Sequence, residues 1–276
     1  MNVAIVTDST ADIPNDLARQ YDIHIVPNLL MIGDTTIQDD HNFSRSEFYS
    51  QLPQMNPIPT TGTASVGTYQ KLYRDLFSQG ADHIISLHPA YRLSGILNAA
   101  TTAAHDFEQQ VTVIDSQQIS LGLGFQVLEA AKAVRQVEKL EQMLAHIQEV
   151  RKKIHLVAML DTLEFLRRSG RVSWARAGLG SLLKIKPFLQ VKDGLVNKFG
   201  ETRTRRKGIE RLIYLIKELG ALERLAILHS NAERDAQQLL QTLGIHLPNP
   251  PMVVNVTTVI GTHVGPNGLG FAALVR

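Results

Sequence analysis

The sequence predicts an α/β protein of two domains. The first is an N-terminal parallel-sheet α/β sandwich, and the second is a C-terminal α+β domain with a mixed, largely antiparallel sheet. In the first half, short apolar runs alternate with helical segments, as in a parallel sheet covered by helices. Beyond residue 150 this alternation ends, and Asp193-Gly194 between two apolar runs indicates a hairpin. We therefore divide the chain into residues 1–150, which carry polar loops, and 151–276.

Strands and helices follow one another through the N-terminal half. Pro14 suits the first position of a helix, Ser44 and Glu47 form a capping box, and Ser65 caps a helix that Gly80 terminates. Residues 56–63 are rich in Pro, Thr and Gly and predict a loop. The predicted strands are Val3–Thr7, Ile23–Val26, His83–His88 and Val111–Asp115, and the predicted helices are Pro14–Gln20, a short one around Phe48, Ser65–Ser78, Gly95–Asp106 and Ile119–Val134.

The C-terminal half begins after a charged amphipathic helix, Glu138–Arg151, which is suited to join two domains. Strand-like runs then lie close together near the end of the chain, which favours antiparallel neighbours. Predicted strands are His155–Leu160, Leu225–His229, Val253–Thr258 and Leu269–Val275, and predicted helices are Leu163–Arg168, Ala175–Leu183 and Arg205–Leu219.

The composition excludes several classes of protein. Of 276 residues, 44% are hydrophobic and 20% are charged, as in soluble globular proteins. No apolar stretch approaches the roughly 18 residues of a membrane span, and the first residues have no secretory signal pattern. The chain has no cysteine, which excludes disulfides and thiolate catalysis. We expect a cytoplasmic protein without integral membrane association.

Charge is distributed unevenly along the chain. Residues 1–150 contain 8 Lys and Arg against 17 Asp and Glu, whereas residues 151–211 contain 16 against 5. A basic middle segment beside an acidic half indicates a docking surface or a place for an anion, and clustered solvated faces explain it equally well.

Polar side chains follow three of the predicted parallel strands. Asp8-Ser9, His88–Ser94 and Asp115-Ser116 each come just after a strand end. In open α/β sheets, ligands bind beyond the carboxyl ends of the strands. The sequence therefore predicts a site at this edge of the first sheet.

Isolated motifs give weaker signals. Gly122 and Gly124 resemble part of a dinucleotide fingerprint, but Val127 stands where the third glycine belongs, so helix–strand packing explains them better. Ser94 lies outside a Gly-x-Ser-x-Gly elbow, and helix capping is its commoner role. The ten histidines show no metal-ligand spacing, and we expect no metal site.

Two further segments leave alternatives open. The basic run from Lys198 to Lys207 attracts phosphates, but it lacks interleaved aromatic residues and a nucleic-acid fold signature, so we expect no nucleic-acid binding. Segment Gly261–Gly270, GTHVGPNGLG, is read as a loop around His263. Its small residues allow backbone to approach a ligand or another strand closely.

Read together, these stretches resemble the DegV family of bacterial fatty-acid-binding proteins. The resemblance covers essentially the whole chain, and its segments occur in the order of the family. They are VAIVTDSTADIP (3–14), PTTGTASVG (59–67), ISLHPAYRLSGI (85–96), EFLRRSGRVS (164–173), LGSLLKIKPFLQVKDG (179–194), RTRRKGIERL (203–212) and GTHVGPNGLG (261–270).

The resemblance implies a fatty-acid carrier. One long-chain fatty acid would lie with its acyl chain in an apolar tunnel of the C-terminal domain and its carboxylate between the domains. A separate fatty acid kinase would use it to make acyl phosphate for phospholipid synthesis, so this chain would need no cofactor and no catalytic residue. Asp8-Ser9-Thr10 would then be mainly architectural.

Matching positions imply the ligand-binding residues. They are Thr61, Ser94, Arg171 and His263, and Thr63 is able to share or replace the role of Thr61. A carboxylate at the mouth of an apolar tunnel needs such donors, because an unpaired buried charge is costly. The basic segment with Arg203, Arg205 and Arg206 is a candidate face for the kinase.

Departures from the family pattern lie close to the expected head group. The chain has Ala90-Tyr91 where the family has two serines, Ile96 for a threonine, and Gly62-Thr63-Ala64 for Ser-Gln-Pro. Two other functions therefore stay open. One is an acyl hydrolase or transferase that uses Ser94 and His263, and the other is a lipid-responsive protein without a kinase partner.

Overall fold

The structure is a computed structural model that describes residues 1–40, 43–136, 139–176 and 185–276. Its strands are β1 (Val3–Asp8), β2 (Ile23–Val26), β3 (Leu29–Ile32), β4 (Thr35–Gln38), β5 (Thr60–Gly62), β6 (His83–His88), β7 (Val111–Asp115), β8 (Ile154–Met159), β9 (Lys186–Lys192), β10 (Leu195–Thr202), β11 (Leu222–His229), β12 (Met252–Asn255) and β13 (Leu269–Val275).

The helices cover the faces of the sheets. They are α1 (Asn15–Tyr21), α2 (Arg45–Gln51), α3 (Val66–Ser78), α4 (Ile96–Ala104), α5 (Leu121–Val134), α6 (Leu140–Lys152), α7 (Glu164–Ser169), α8 (Arg205–Glu218), α9 (Glu233–Leu243) and α10 (Thr258–Val264), with short 3-10 turns between some of them.

The first sheet is parallel throughout, in the order β2-β1-β6-β7. Its two central strands, β1 and β6, are almost entirely buried because helices cover both faces. Tyr69 and Tyr73 of α3 pack with Val6 and Ile84 on one face, and Phe125 of α5 belongs to the core on the other. This arrangement confirms the predicted parallel α/β sandwich.

A second, small antiparallel sheet has the order β4-β3-β5. Leu30 pairs with Thr61 in it, so the prediction that residues 56–63 form a loop is wrong for Thr60–Gly62. The strand is three residues long, and it forms through pairing with β3 rather than through its own sequence pattern. It places Thr61 on a hydrogen-bonded ladder.

The third sheet has six strands in the order β10-β9-β8-β13-β11-β12. All neighbours are antiparallel except β11 and β12. Helices α8 and α9 cover one face, where Leu212 and Leu239 join Phe271 in the core. This sheet confirms the predicted mixed, largely antiparallel architecture.

Helix α10 corrects two predictions. Thr258 starts a helix rather than ending a strand, and His263 lies within that helix rather than in a loop. The helix packs on α2, since a Cβ added at Gly261 would lie 2.3 Å from the hydroxyl of Tyr49. A seven-residue segment with three β-branched residues at its start carries little helical signal of its own.

Helix α5 connects the first and third sheets. A Cβ at Gly124 would lie 2.5 Å from the carbonyl oxygen of Ala11, which supports the packing role expected for this glycine. On its other side, Glu129 forms a buried ion pair of 2.7 Å with Arg224 of β11. The boundary predicted at residue 150 falls inside α6 and stays a prediction. The predicted helix Ala175–Leu183 falls mostly on residues 177–184, outside the described residues.

Candidate ligand-binding site

An apolar cavity of about 150 Å³ lies on the face of the six-stranded sheet opposite α8 and α9. Its floor is a row of residues that are register neighbours across four strands, Leu189, Ala158, Gly270 and Leu228. The two central members are small, so the row forms a trough between larger side chains. A Cβ at Gly270 would lie 2.5 Å from the carbonyl oxygen of Val157, so this glycine is required for close approach of two strands.

The walls of the cavity come from the loops and helices above the sheet. Leu166 and Val172 close it from the α7 side, Ile260 and Val264 from α10, and Ile119 from the loop before α5. These side chains are apolar, so the cavity favours a hydrocarbon over a polar molecule.

A larger polar pocket of about 470 Å³ adjoins the apolar cavity. Loops at the carboxyl ends of β1 and β6 contribute to it, as the strand–helix alternation predicts for a parallel sheet. Residues that line both spaces are Leu93, Ile119, Arg171, Ile260 and His263. A bound molecule can therefore place an apolar part in one space and a polar part in the other.

Thr61 and His263 meet in this polar pocket. The Thr61 Oγ1 and His263 Nε2 atoms are 3.0 Å apart, although 202 residues separate them in sequence. Strand pairing holds Thr61, and helix α10 holds His263. Burial lowers the pKa of His263 to about 4, and the charge of Arg171 acts in the same direction. The imidazole is thus neutral at pH 7, and its buried Nδ1 has no partner among the described residues.

The other residues expected at the site line the same pocket. Ser94 is half-buried at the start of α4, where its Oγ accepts a hydrogen bond of 3.3 Å from the N–H of Ile96 and keeps its own proton to donate. Thr63 and Arg171 also line the pocket. Arg171 is exposed and donates from Nη1 to the carbonyl of Ser169 at 3.0 Å.

Ser94 and His263 make separate contacts in the pocket. His263 bonds to Thr61, whereas Ser94 contacts the backbone of its own helix, and no hydrogen bond joins Ser94 to His263 within the described ranges. A nucleophilic serine needs a base within hydrogen-bond reach. The pocket supplies donors for a polar group and lacks this catalytic arrangement.

Two buried carboxylates orient α10, and sequence reasoning missed both. Asp12 accepts from the backbone N–H of Thr257 at 2.7 Å, and Asp39 accepts from that of Thr258 at 3.2 Å. Arg45 lies 3.9 Å from Asp12. Burial raises the pKa of Asp12 to about 7, while Arg45 opposes that shift. No local pattern marks these residues, since their partners at the start of α10 lie more than 200 positions away.

The opening polar cluster is a buried network. Asp8 accepts from the backbone N–H and the hydroxyl of Thr10, from the amide of Asn28 and from His88, at 2.6–3.0 Å. Ser9 bonds to Asp39 rather than to Asp8. Asp8 is 0% exposed. Its contacts agree with an architectural role, in which it holds the loops that line the pocket.

The three arginines of the basic segment have different surroundings. Arg205 forms an ion pair with Asp235 and donates to the carbonyl of Asn267 at 2.7 Å. Arg203 is exposed, and the side chain of Arg206 is 84% exposed. Within this set, Arg203 and Arg206 are therefore accessible to a partner without breaking the two contacts that hold Arg205.

The described part of the chain contains no helix long and apolar enough to cross a bilayer. In the same ranges, no three His, Asp or Glu side chains gather as metal ligands would.

An α/β protein with an apolar cavity that adjoins a polar pocket has the shape and polarity to hold a small amphipathic molecule. The chain belongs to the DegV family. It matches the model of this family, described as "Uncharacterised protein, DegV family", over residues 2–276, which confirms the resemblance seen in the sequence.

Individual relatives match over the whole length. The protein DegV of Bacillus subtilis is 33% identical over 276 residues, 98% of each chain. A solved structure described as fatty acid binding of a DegV family protein from Thermus thermophilus is 32% identical, with a TM-score of 0.90. The structure of Bacillus subtilis DegV, described as a fatty acid binding protein, is 32% identical, with a TM-score of 0.89. Both structural matches cover 100% of each chain.

Proposed function

We propose that this chain binds one long-chain fatty acid and presents its carboxylate to a separate fatty acid kinase in the cytoplasm. The observation that carries the proposal is the adjoining pair of spaces, one apolar and one polar, that share His263 and Arg171. The two structural relatives described as fatty acid binding proteins support the fatty-acid part of the proposal.

The acyl chain would lie in the trough over the six-stranded sheet. Each buried CH₂ contributes about 0.8 kcal/mol, so a chain of many carbons binds tightly even after ordering costs are subtracted. The small residues Ala158 and Gly270 leave the space that the hydrocarbon would occupy.

The carboxylate would lie in the polar pocket. Hydroxyls of Thr61, Thr63 and Ser94 are neutral donors, and Arg171 supplies a positive charge at the exposed side. Neutral His263 adds no charge of its own at pH 7. Such a set satisfies a carboxylate and leaves one side of it open to a phosphoryl donor.

Native mass spectrometry of the purified protein, followed by denaturing extraction and lipid identification, tests the carrier function. We expect one co-purified fatty acid per chain. A protein that is empty and takes up no added fatty acid contradicts the proposal.

The kinase partnership has a separate test. Charge reversal of the exposed pair, Arg203→Glu with Arg206→Glu, should impair acyl phosphate formation by a fatty acid kinase from the same cell and leave lipid binding unchanged. Lys217→Glu, an exposed site at the other end of α8, is the matched control. Loss of lipid binding in the arginine variant contradicts the docking role, and the lack of such a kinase favours a lipid-responsive protein.

A further inference from the structure

A buried amide at the polar pocket carries an acceptor that no described residue satisfies. Asn28 follows β2, lines the pocket and is 0% exposed. Its Oδ1 has no hydrogen-bond partner in the described part of the chain. Buried side-chain oxygens in proteins nearly always have a donor, so an orphaned one beside a pocket points to a ligand group.

The hydrogen-bond network fixes the orientation of this amide. Nδ2 of Asn28 donates to Oδ1 of Asp8 at 2.9 Å and to Oγ of Ser9 at 3.2 Å. Ser9 gives its own proton to Asp39 at 2.8 Å, so its oxygen accepts. Reversing the amide would set Oδ1 against the carboxylate of Asp8, two acceptors in contact. The unpartnered atom is therefore an acceptor.

Thr10, which lines the same pocket, also offers a hydrogen-bond acceptor. Its hydroxyl donates to Oδ1 of Asp8 at 2.6 Å, so only its lone pairs remain for the pocket. Ser94 and Arg171, on other walls, are donors. The pocket thus has donors for a carboxylate on some sides and acceptors on another.

We propose that Asn28, with Thr10, is a subsite that accepts an O–H from the bound head group. This subsite rests on the proposed fatty-acid function and adds a specific head-group contact to it. A bare carboxylate has no proton to donate. The donor is therefore the acid proton of a neutral fatty acid or a water molecule held on the carboxylate. In both cases Asn28 accepts from an O–H, and an alcohol supplies that O–H directly, so Asn28 should favour an uncharged head group with an O–H over an uncharged one without it.

A pair of uncharged ligands tests the subsite. Dodecanol carries an O–H, and dodecyl methyl ether does not. Dodecanol loses more hydration on burial, so without a protein acceptor the ether binds at least as well. With Asn28 as acceptor, we expect the wild type to prefer dodecanol by about tenfold in Kd.

Two variants complete the comparison. Asn28→Leu should lower the preference to what Thr10 alone provides, whereas Asn98→Leu, at an exposed position that lines the same pocket, should retain it in full. The difference in the dodecanol-to-ether Kd ratio between the wild type and Asn28→Leu isolates the interaction of Asn28 with the ligand O–H, as in a double-mutant cycle. No preference in the wild type, or an equal preference in Asn28→Leu, overturns the proposal. If Asn28→Leu does not fold, the ligand pair on the wild type decides.

Palmitic acid labelled with ¹³C at its carboxyl separates this inference from the proposed function. If the wild type binds neither palmitic acid nor another long-chain fatty acid, the carrier function fails, whatever the alcohol and ether show. If it binds, the carboxyl resonance at pH 7 identifies the source of the donor. A ¹³C chemical shift typical of a neutral acid would identify the acid proton as the donor to Asn28. A shift typical of a carboxylate would identify a water molecule held on the carboxylate as the donor.

Discussion

The carboxylate of Asp12 accepts a hydrogen bond of 2.7 Å from the backbone N–H of Thr257, 245 residues further along the chain. The same carboxylate accepts from the hydroxyl of Ser120 at 2.6 Å. One buried side chain therefore ties the loop after β1 to the loop before α5 and to the start of α10. Because α10 carries His263, the N-terminal half of the chain positions a residue of the candidate site.

Asp12 predicts a loss of stability as pH rises. Burial raises its pKa to about 7 from 3.8, so the folded state favours the neutral acid. That contribution is complete below the unfolded pKa near 4 and is lost as pH rises through about 7. It amounts to at most about 4 kcal/mol. We expect the free energy of unfolding of the wild type to fall between pH 4 and 8 relative to that of Asp12→Asn.

Urea unfolding at several pH values measures this difference. Asparagine suits the position because Asp12 has a φ of 55°, a conformation that asparagine tolerates well. Asp16→Asn, at an exposed position of α1, is the matched control; it retains Asp12 and should therefore follow the pH dependence of the wild type. Parallel curves for the wild type and Asp12→Asn would contradict the assigned shift.

From the pKa of His263 we expect a contribution to the free energy of unfolding that rises with pH, opposite to that of Asp12. Burial lowers its pKa to about 4, so the folded state favours the neutral ring. Its contribution is present above the unfolded pKa near 6.5 and is lost as pH falls from there through about 4. The largest effect is about 3 kcal/mol. His263→Gln should remove this part of the acid destabilisation, and proton NMR of the ring should show a neutral His263 at pH 5.

Much of the fold follows from local pattern. The parallel strands were predictable because short apolar runs alternate with helical segments, and Asp193-Gly194 marks the hairpin of β9 and β10. Strand β5 and helix α10 were not predictable in the same way, because pairing with β3 and packing on Tyr49 stabilise them. Where tertiary contacts decide an element, its own sequence carries little signal.

The residues of the candidate site also fall into those that the sequence predicts and those that depend on tertiary contacts. Thr61, Ser94, Arg171 and His263 were expected from the family resemblance, and the structure brings all of them to the polar pocket. Asn28 was not expected. Its role depends on the buried network around Asp8, whose members come from different strands and become neighbours only after folding.

Filling the trough should block the acyl chain without unfolding the protein. Ala158 lies in the centre of the cavity floor, so Ala158→Leu places a larger apolar group in a space of about 150 Å³. We expect fatty-acid affinity to fall at least tenfold and the free energy of unfolding to stay equal or rise, because the new side chain is buried. Isothermal titration with palmitic acid and urea unfolding measure the two effects. Unchanged affinity would place the acyl chain elsewhere.

The hydroxyls of the polar pocket should contribute unequally to head-group binding. Thr61 is fixed by its 3.0 Å contact with His263, and Ser94 keeps a proton to donate. One lost hydrogen bond to a charged group is worth about 1.5–3 kcal/mol, so Thr61→Val and Ser94→Ala should each weaken palmitic acid binding by roughly tenfold to a hundredfold. Thr63→Val should lower the affinity for palmitic acid less than Thr61→Val does. If Thr63 takes the role of Thr61, Thr63→Val should instead have the larger effect. Loss of a measurable turnover in Ser94→Ala would instead support an enzyme, whereas a carrier shows only weaker binding.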